Sequence, residues 1–106
     1  MDAVCTNSTL LKKIAEDFIL AAGCNPTKEE SHPDVFGSYF AVYARAGHEV
    51  RFIWDGKDGW GYLEHRPAGT TNWEPVGSPV PEGPEDKMRA AALNEWPEAL
   101  SAVLSS

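Results

Sequence analysis

Between Tyr39 and Arg66, aromatic and β-branched residues alternate with polar ones. Two glycine-bearing breaks, Ala46-Gly47 and Asp55-Gly56-Lys57-Asp58-Gly59, divide this run into three. A period of two sends successive side chains to opposite faces of a strand, so the stretch predicts an antiparallel meander rather than helix. With Ala46-Gly47 as a two-residue hairpin turn, Arg45 faces His48, Tyr43 faces Val50, Ala41 faces Phe52 and Tyr39 faces Trp54, all on one face. A five-residue second loop then sets Trp54 opposite Trp60, Phe52 opposite Tyr62 and Glu49 opposite His65. That register keeps the aromatics together, whereas a slip of one residue would send them to opposite faces. Phe40, Val42, Ile53 and Leu63 are expected on the other side. After Ala68-Gly69, the segment from Thr70 to Glu74 is a candidate fourth strand, which Pro75 confines to the sheet edge.

Helical periodicity frames this sheet. From Ser8, the residues Leu11, Ile14, Ala15, Phe18 and Ala22 form one apolar stripe opposite Lys12, Lys13, Glu16 and Asp17. Asn7 or Ser8 suits the start of that helix, and Gly23 suits its left-handed end. Cys24 to Asp34, with two prolines and the run Lys28-Glu29-Glu30-Ser31-His32, reads as a polar surface connection. Val76 to Pro84, with Pro79, Pro81 and Pro84 and with Gly77 and Gly83, reads as a stiff linker rather than helix or central strand. Pro84 followed by Glu85 and Asp86 opens a helix, and Pro97 ends or kinks it before Leu100, Val103 and Leu104. The expected fold is α+β in a single domain spanning 1–106. It has an N-terminal helix, a three- to four-stranded antiparallel meander, and a C-terminal helix or kinked helix pair packed on one sheet face.

With 106 residues the chain can build one hydrophobic core without disulfides or a metal. Its 9 basic against 16 acidic residues give a net charge of −7, which repels phosphate backbones and anionic lipid. No apolar run approaches the roughly 20 residues that span a bilayer, and Met1-Asp2 opens without the basic and apolar regions of a leader, so a cytoplasmic location is expected. In such a reducing compartment Cys5 and Cys24 stay thiols, although a single bridge between them is an alternative. Asn7-Ser8-Thr9 matches a glycosylation tripeptide and is read instead as a helix start.

Catalytic signatures are missing from this sequence. His32, His48 and His65 follow no zinc spacing, so no metal and no cofactor is expected. Glu49 is assigned to pair with His65, and His48 is left exposed beside the turn. The loop Asp55 to Gly59 starts like a calcium loop, but aligning Asp58-Gly59 with its fifth and sixth positions places Trp54 first and His65 last, where carboxylates are required. Glu64 and His65 are adjacent on a strand and point to opposite faces, which disqualifies them as an acid and base of one pocket. The chain is therefore not read as an enzyme.

The aromatics and acids carry the remaining signal. Most of Tyr39, Phe40, Tyr43, Trp54, Trp60, Tyr62 and Trp73 are expected to fill the core. Because both sheet faces hold apolar residues, the face away from the helices is left partly open, as protein recognition requires. The acids fall in three groups: Glu29, Glu30 and Asp34; Asp55, Asp58 and Glu64; Glu82, Glu85 and Asp86. In size, charge and element order the whole chain resembles the cognate immunity proteins of bacterial polymorphic and contact-dependent growth inhibition toxin systems, without a shared motif. The resemblance implies a cytoplasmic inhibitor, monomer or homodimer, that binds one toxin domain, commonly a basic nuclease. On that reading Asp55, Asp58, Glu64, Glu82, Glu85 and Asp86 occupy the positive cleft, and Trp60 and Trp73 anchor the drier centre. The alternative is a module that binds a small molecule or peptide in an aromatic pocket between sheet and helices.

Overall fold

The computed structural model describes residues 6–32 and 38–105, with side chains over 9–30 and 38–105. Expectations resting on Cys5, on Asp34 or on the side chains of Asn7, Ser8 and His32 lie outside the described residues. The elements run α1 (Thr6–Ala21), β1 (Asn25–His32), β2 (Ser38–Arg45), β3 (His48–Asp55), β4 (Trp60–Pro67), β5 (Glu74–Pro81) and α2 (Glu85–Leu104). The five strands form one antiparallel meander in chain order.

Both helices lie on the same side of the sheet. Leu11, Ile14, Ala15 and Ile19 of α1 and Met88, Ala92, Trp96 and Leu100 of α2 close over Tyr43, Val50, Phe52, Leu63, Val76 and Val80. Trp96 is fully buried at the centre of this layer. Its ring centroid lies 6.4 Å from Phe18 and 6.2 Å from Phe52, and its indole N–H donates to the Ser78 carbonyl at 2.9 Å. Leu10, Ile14 and Asp17 of α1 border Arg89 and Leu93 of α2, whereas Phe18 and Ala22 border Leu100 and Leu104. The helices are thus parallel, with their N-terminal ends at the β3–β4 turn and their C-terminal ends at the β2–β3 turn. At the end of α1, Gly23 adopts φ +90°, and the N–H groups of Gly23 and Cys24 donate to the carbonyls of Leu20 and Ile19. Only a residue without a Cβ takes that conformation cheaply.

The first hairpin has the expected register, with Tyr39 opposite Trp54, Ala41 opposite Phe52, Tyr43 opposite Val50 and Arg45 opposite His48. The second differs by one residue: Asp55 pairs with Trp60, Trp54 with Gly61, Phe52 with Leu63 and Val50 with His65. The cause is the loop, which is four residues long. Asp55 Oδ1 accepts from the N–H groups of Lys57 and Asp58, and Gly59, at φ +73°, donates to the Asp55 carbonyl at 2.8 Å. A side-chain oxygen that binds the turn backbone keeps Asp55 inside the ladder. Leu63 therefore joins the core face, and Trp60, Tyr62 and Glu64 move to the other. Glu49 pairs with Arg66 and not with His65.

Two further expectations are corrected. Residues 25–32 are the edge strand β1 rather than a connection. Its described side chains are nearly all exposed, so no buried face imposed a period of two. The proline-rich stretch read as a linker contains most of β5, which starts at Glu74, after the candidate strand from Thr70 to Glu74. It tolerates Pro75, Pro79 and Pro81 because it is the other edge, where only Val76 and Val80 must reach the core. A shift of register between Gly61 and Leu63 accommodates the extra residues around Ser78, which the Trp96 indole and the Glu95 carboxylate hold against α2. α2 continues through Pro97 as one helix. The buried Ala92, Trp96, Leu100 and Leu104 keep both halves on the sheet, which offsets the lost N–H bond and the crowding of the proline ring against the preceding turn.

Candidate functional site

The sheet face opposite the helices carries Phe40, Val42 and Ala44 from β2, Glu49, Arg51 and Ile53 from β3, and Trp60, Tyr62, Glu64 and Arg66 from β4. Two parts of it differ in chemistry. Toward the β3–β4 turn, Phe40, Ile53 and Tyr62 form a cross-strand apolar row with Val42 beside it and Trp60 at its end. Trp60 is 39% exposed, the one large aromatic so exposed among the described residues. Burial, with Glu64 and Asp55 nearby, pushes the Tyr62 phenol above its ordinary pKa, so it stays a neutral hydrogen-bond donor.

Toward the β2–β3 turn the face is ionic and internally neutral. Glu64 Oε1 accepts from Arg51 Nε at 2.7 Å, and Glu49 Oε1 accepts from Arg66 Nε at 2.6 Å. Trp73, arriving from the β4–β5 connection, contacts both guanidinium groups, with ring centroid distances of 4.2 Å to Arg51 and 4.4 Å to Arg66. These contacts hold the two arginines in place and occupy the indole face. Trp73 is thereby half-buried over its own chain, and Glu64 is already ion-paired.

The other sequence-derived site residues converge on one end. Gly59 in the β3–β4 turn accepts a hydrogen bond from the Glu82 N–H at 2.7 Å, which brings Asp55, Asp58 and Glu82 together, and Glu85 and Asp86 follow in the first turn of α2. Trp60 stands at the same end. Glu85 is linked to Arg89 at 3.2 Å. Glu85 and Asp86 lie in the first turn of α2, where the helix dipole is positive.

His48 and His65 lie on the helix side of the sheet. His48 Nδ1 and His65 Nε2 are 3.0 Å apart, so one ring donates to the other. Burial first, and then His48, lowers the pKa of His65 below its ordinary value. Among the described residues no group of three or more His, Cys, Asp or Glu is placed to hold a metal ion. Cys24 is a buried free thiol, pushed up in pKa by burial. No helix among the described residues is long and apolar enough to cross a membrane. The expected aromatic pocket between sheet and helices is filled, since Tyr43, Phe52, Trp54 and Trp96 are packed there.

No protein-family model, curated protein or solved structure matches this chain.

Proposed function

We propose that the protein is a binding protein rather than an enzyme, an inhibitor of the immunity type that docks a cognate toxin domain. The observation that carries this reading is Trp60, the exposed aromatic of the sheet face opposite the helices, which stands beside the half-buried Ile53 and Tyr62 and at the same end as Asp55, Asp58 and Glu82. An aromatic anchor beside half-buried apolar residues, with Asp55, Asp58 and Glu82 outnumbering Lys57 at that end, fits a protein surface with an apolar knob and flanking Lys or Arg. Such a partner is basic, as the nucleic-acid cleft of a nuclease is. The acids at the rim speed its approach, and the aromatics slow its escape. Trp73 and Glu64 shape the neighbouring surface instead of anchoring the partner.

Affinity capture from lysate of its native cells, at about 100 and about 500 mM salt, tests the reading, because rim charge is screened at the higher concentration and apolar burial is not. The expected result is one stoichiometric basic protein, weakened by salt, lost with Trp60→Ala and Ile53→Arg, and retained with Leu93→Ala on the helix side. Capture that ignores Trp60 and Ile53, or no partner at either salt concentration, overturns it.

A further inference from the structure

A cavity of about 360 Å³ opens on the helix side of the molecule, where the C-terminal ends of α1 and α2 meet the end of β2. Phe18, Pro97, Leu100 and Leu104 supply its apolar wall, and Ser101 and Ser105 stand among its lining. Pro97 adds its pyrrolidine ring to this wall. Among the described residues, the one charged side chain in the lining is Arg45. Its Nη1 donates to the Ala22 carbonyl at 3.0 Å, which fixes the guanidinium and leaves its other N–H groups for an acceptor. In a chain of net charge −7, no Asp or Glu among the described residues lines this cavity. The helix ends there are partly negative. Yet the Ala22 carbonyl is taken by Arg45 and the Ser101 carbonyl by Ser105, so a full positive charge in contact outweighs them.

We propose that this cavity binds a small amphiphilic carboxylate, an alkyl or aryl acid whose carboxylate meets Arg45 while its apolar body lies against Phe18, Pro97 and Leu100. At the ~30 Å³ that a water takes in the liquid, the space holds about a dozen non-hydrogen atoms. The site is on the far side of the sheet from the surface assigned to the partner protein and stands independently of that assignment.

Sodium octanoate is the probe and octylammonium chloride its charge-reversed control. At about 5 mM octanoate the midpoint of thermal unfolding is expected to rise by about 4 °C, with amide shifts confined to the ends of α1, β2 and α2, and octylammonium leaves it unchanged. Arg45→Gln lowers the affinity at least about tenfold, Arg45→Lys keeps it within a few-fold, and Ser101→Phe, at an exposed lining position, blocks entry with Arg45 intact. Circular dichroism confirms that each variant is folded. Equal stabilisation by octylammonium, no effect of octanoate, unaltered affinity in Arg45→Gln, or amide shifts elsewhere would overturn the proposal.

Discussion

Gly61→Ala separates the two possible registers of the second hairpin by the sign of its effect. In the observed register Gly61 faces the core, and a Cβ built there lies 2.9 Å from Leu11 Cδ1 and 3.4 Å from Phe52 Cε1 and Cζ. Leu11 and Phe52 are fully buried, so neither has free space to retreat into. Overpacking of this kind costs about 1–3 kcal/mol, while replacing glycine with alanine recovers about 0.4–1 kcal/mol through the unfolded chain. The net expectation is a loss of about 1–2 kcal/mol. Shifted by one residue, the same methyl would point to the open face, and the substitution would be neutral or stabilising. Urea unfolding followed by tryptophan fluorescence reads the difference directly. A cycle with Leu11→Ala localises it, because Gly61→Ala should lose most of its cost once the Leu11 methyls are gone. A neutral or stabilising Gly61→Ala, or a cost that persists without Leu11, refutes the packing argument.

Three further outcomes follow from the same geometry. His65 has a lowered pKa in the fold, so the unfolded chain binds the proton more tightly. Stability is then complete above pH ~6.5 and falls as the pH drops through the lowered value; urea midpoints between pH 5 and 8 should show this slope, and His65→Asn should flatten it. Trp73→Ala removes two cation–π contacts of about 0.5–1 kcal/mol each at a half-exposed site, so a loss of about 1–2 kcal/mol is expected, and an unchanged urea midpoint would show that the stack is incidental. Tyr43 is buried and donates to Glu16 Oε2 at 2.9 Å, so Tyr43→Phe should cost about 1–2 kcal/mol by denaturant titration. Burial and Glu16 also raise the Tyr43 pKa, so this contribution is intact below pH ~10 and is lost in stronger alkali.

What the sequence discloses follows the distribution of burial. The α1 stripe through Leu11, Ile14 and Phe18 and the pairing of Tyr39–Arg45 with His48–Trp54 are legible, because each element has one face against the core. β1 is not legible, since a strand exposed on both faces has no alternation to read. β5 is masked by prolines that would break any strand with two neighbours. The second register failed because alternating aromatics were assumed to share the core face. Here Gly61, Leu63 and His65 take it, and the deciding interaction is the bond from Asp55 Oδ1 to the turn backbone. For the candidate site, Trp60 and the acids around it were identifiable by residue type. The partners that remove Glu64 and Trp73 from it, Arg51 and Arg66, emerge only once the strands are in register.

The start of α2 constrains how this surface can change over generations. Glu85 and Asp86 sit in the first turn of α2, where the helix dipole is positive, so each supports folding by about 0.3–1 kcal/mol in addition to the role proposed for it in binding. Selection for a new partner and selection for stability therefore act on the same atoms at that pole. Neutralising Glu85 and Asp86 would weaken α2. On the proposed reading, a change of partner is expected to proceed through Ile53, Trp60 and Tyr62, whose identities the dipole does not constrain, while Glu85 and Asp86 stay acidic.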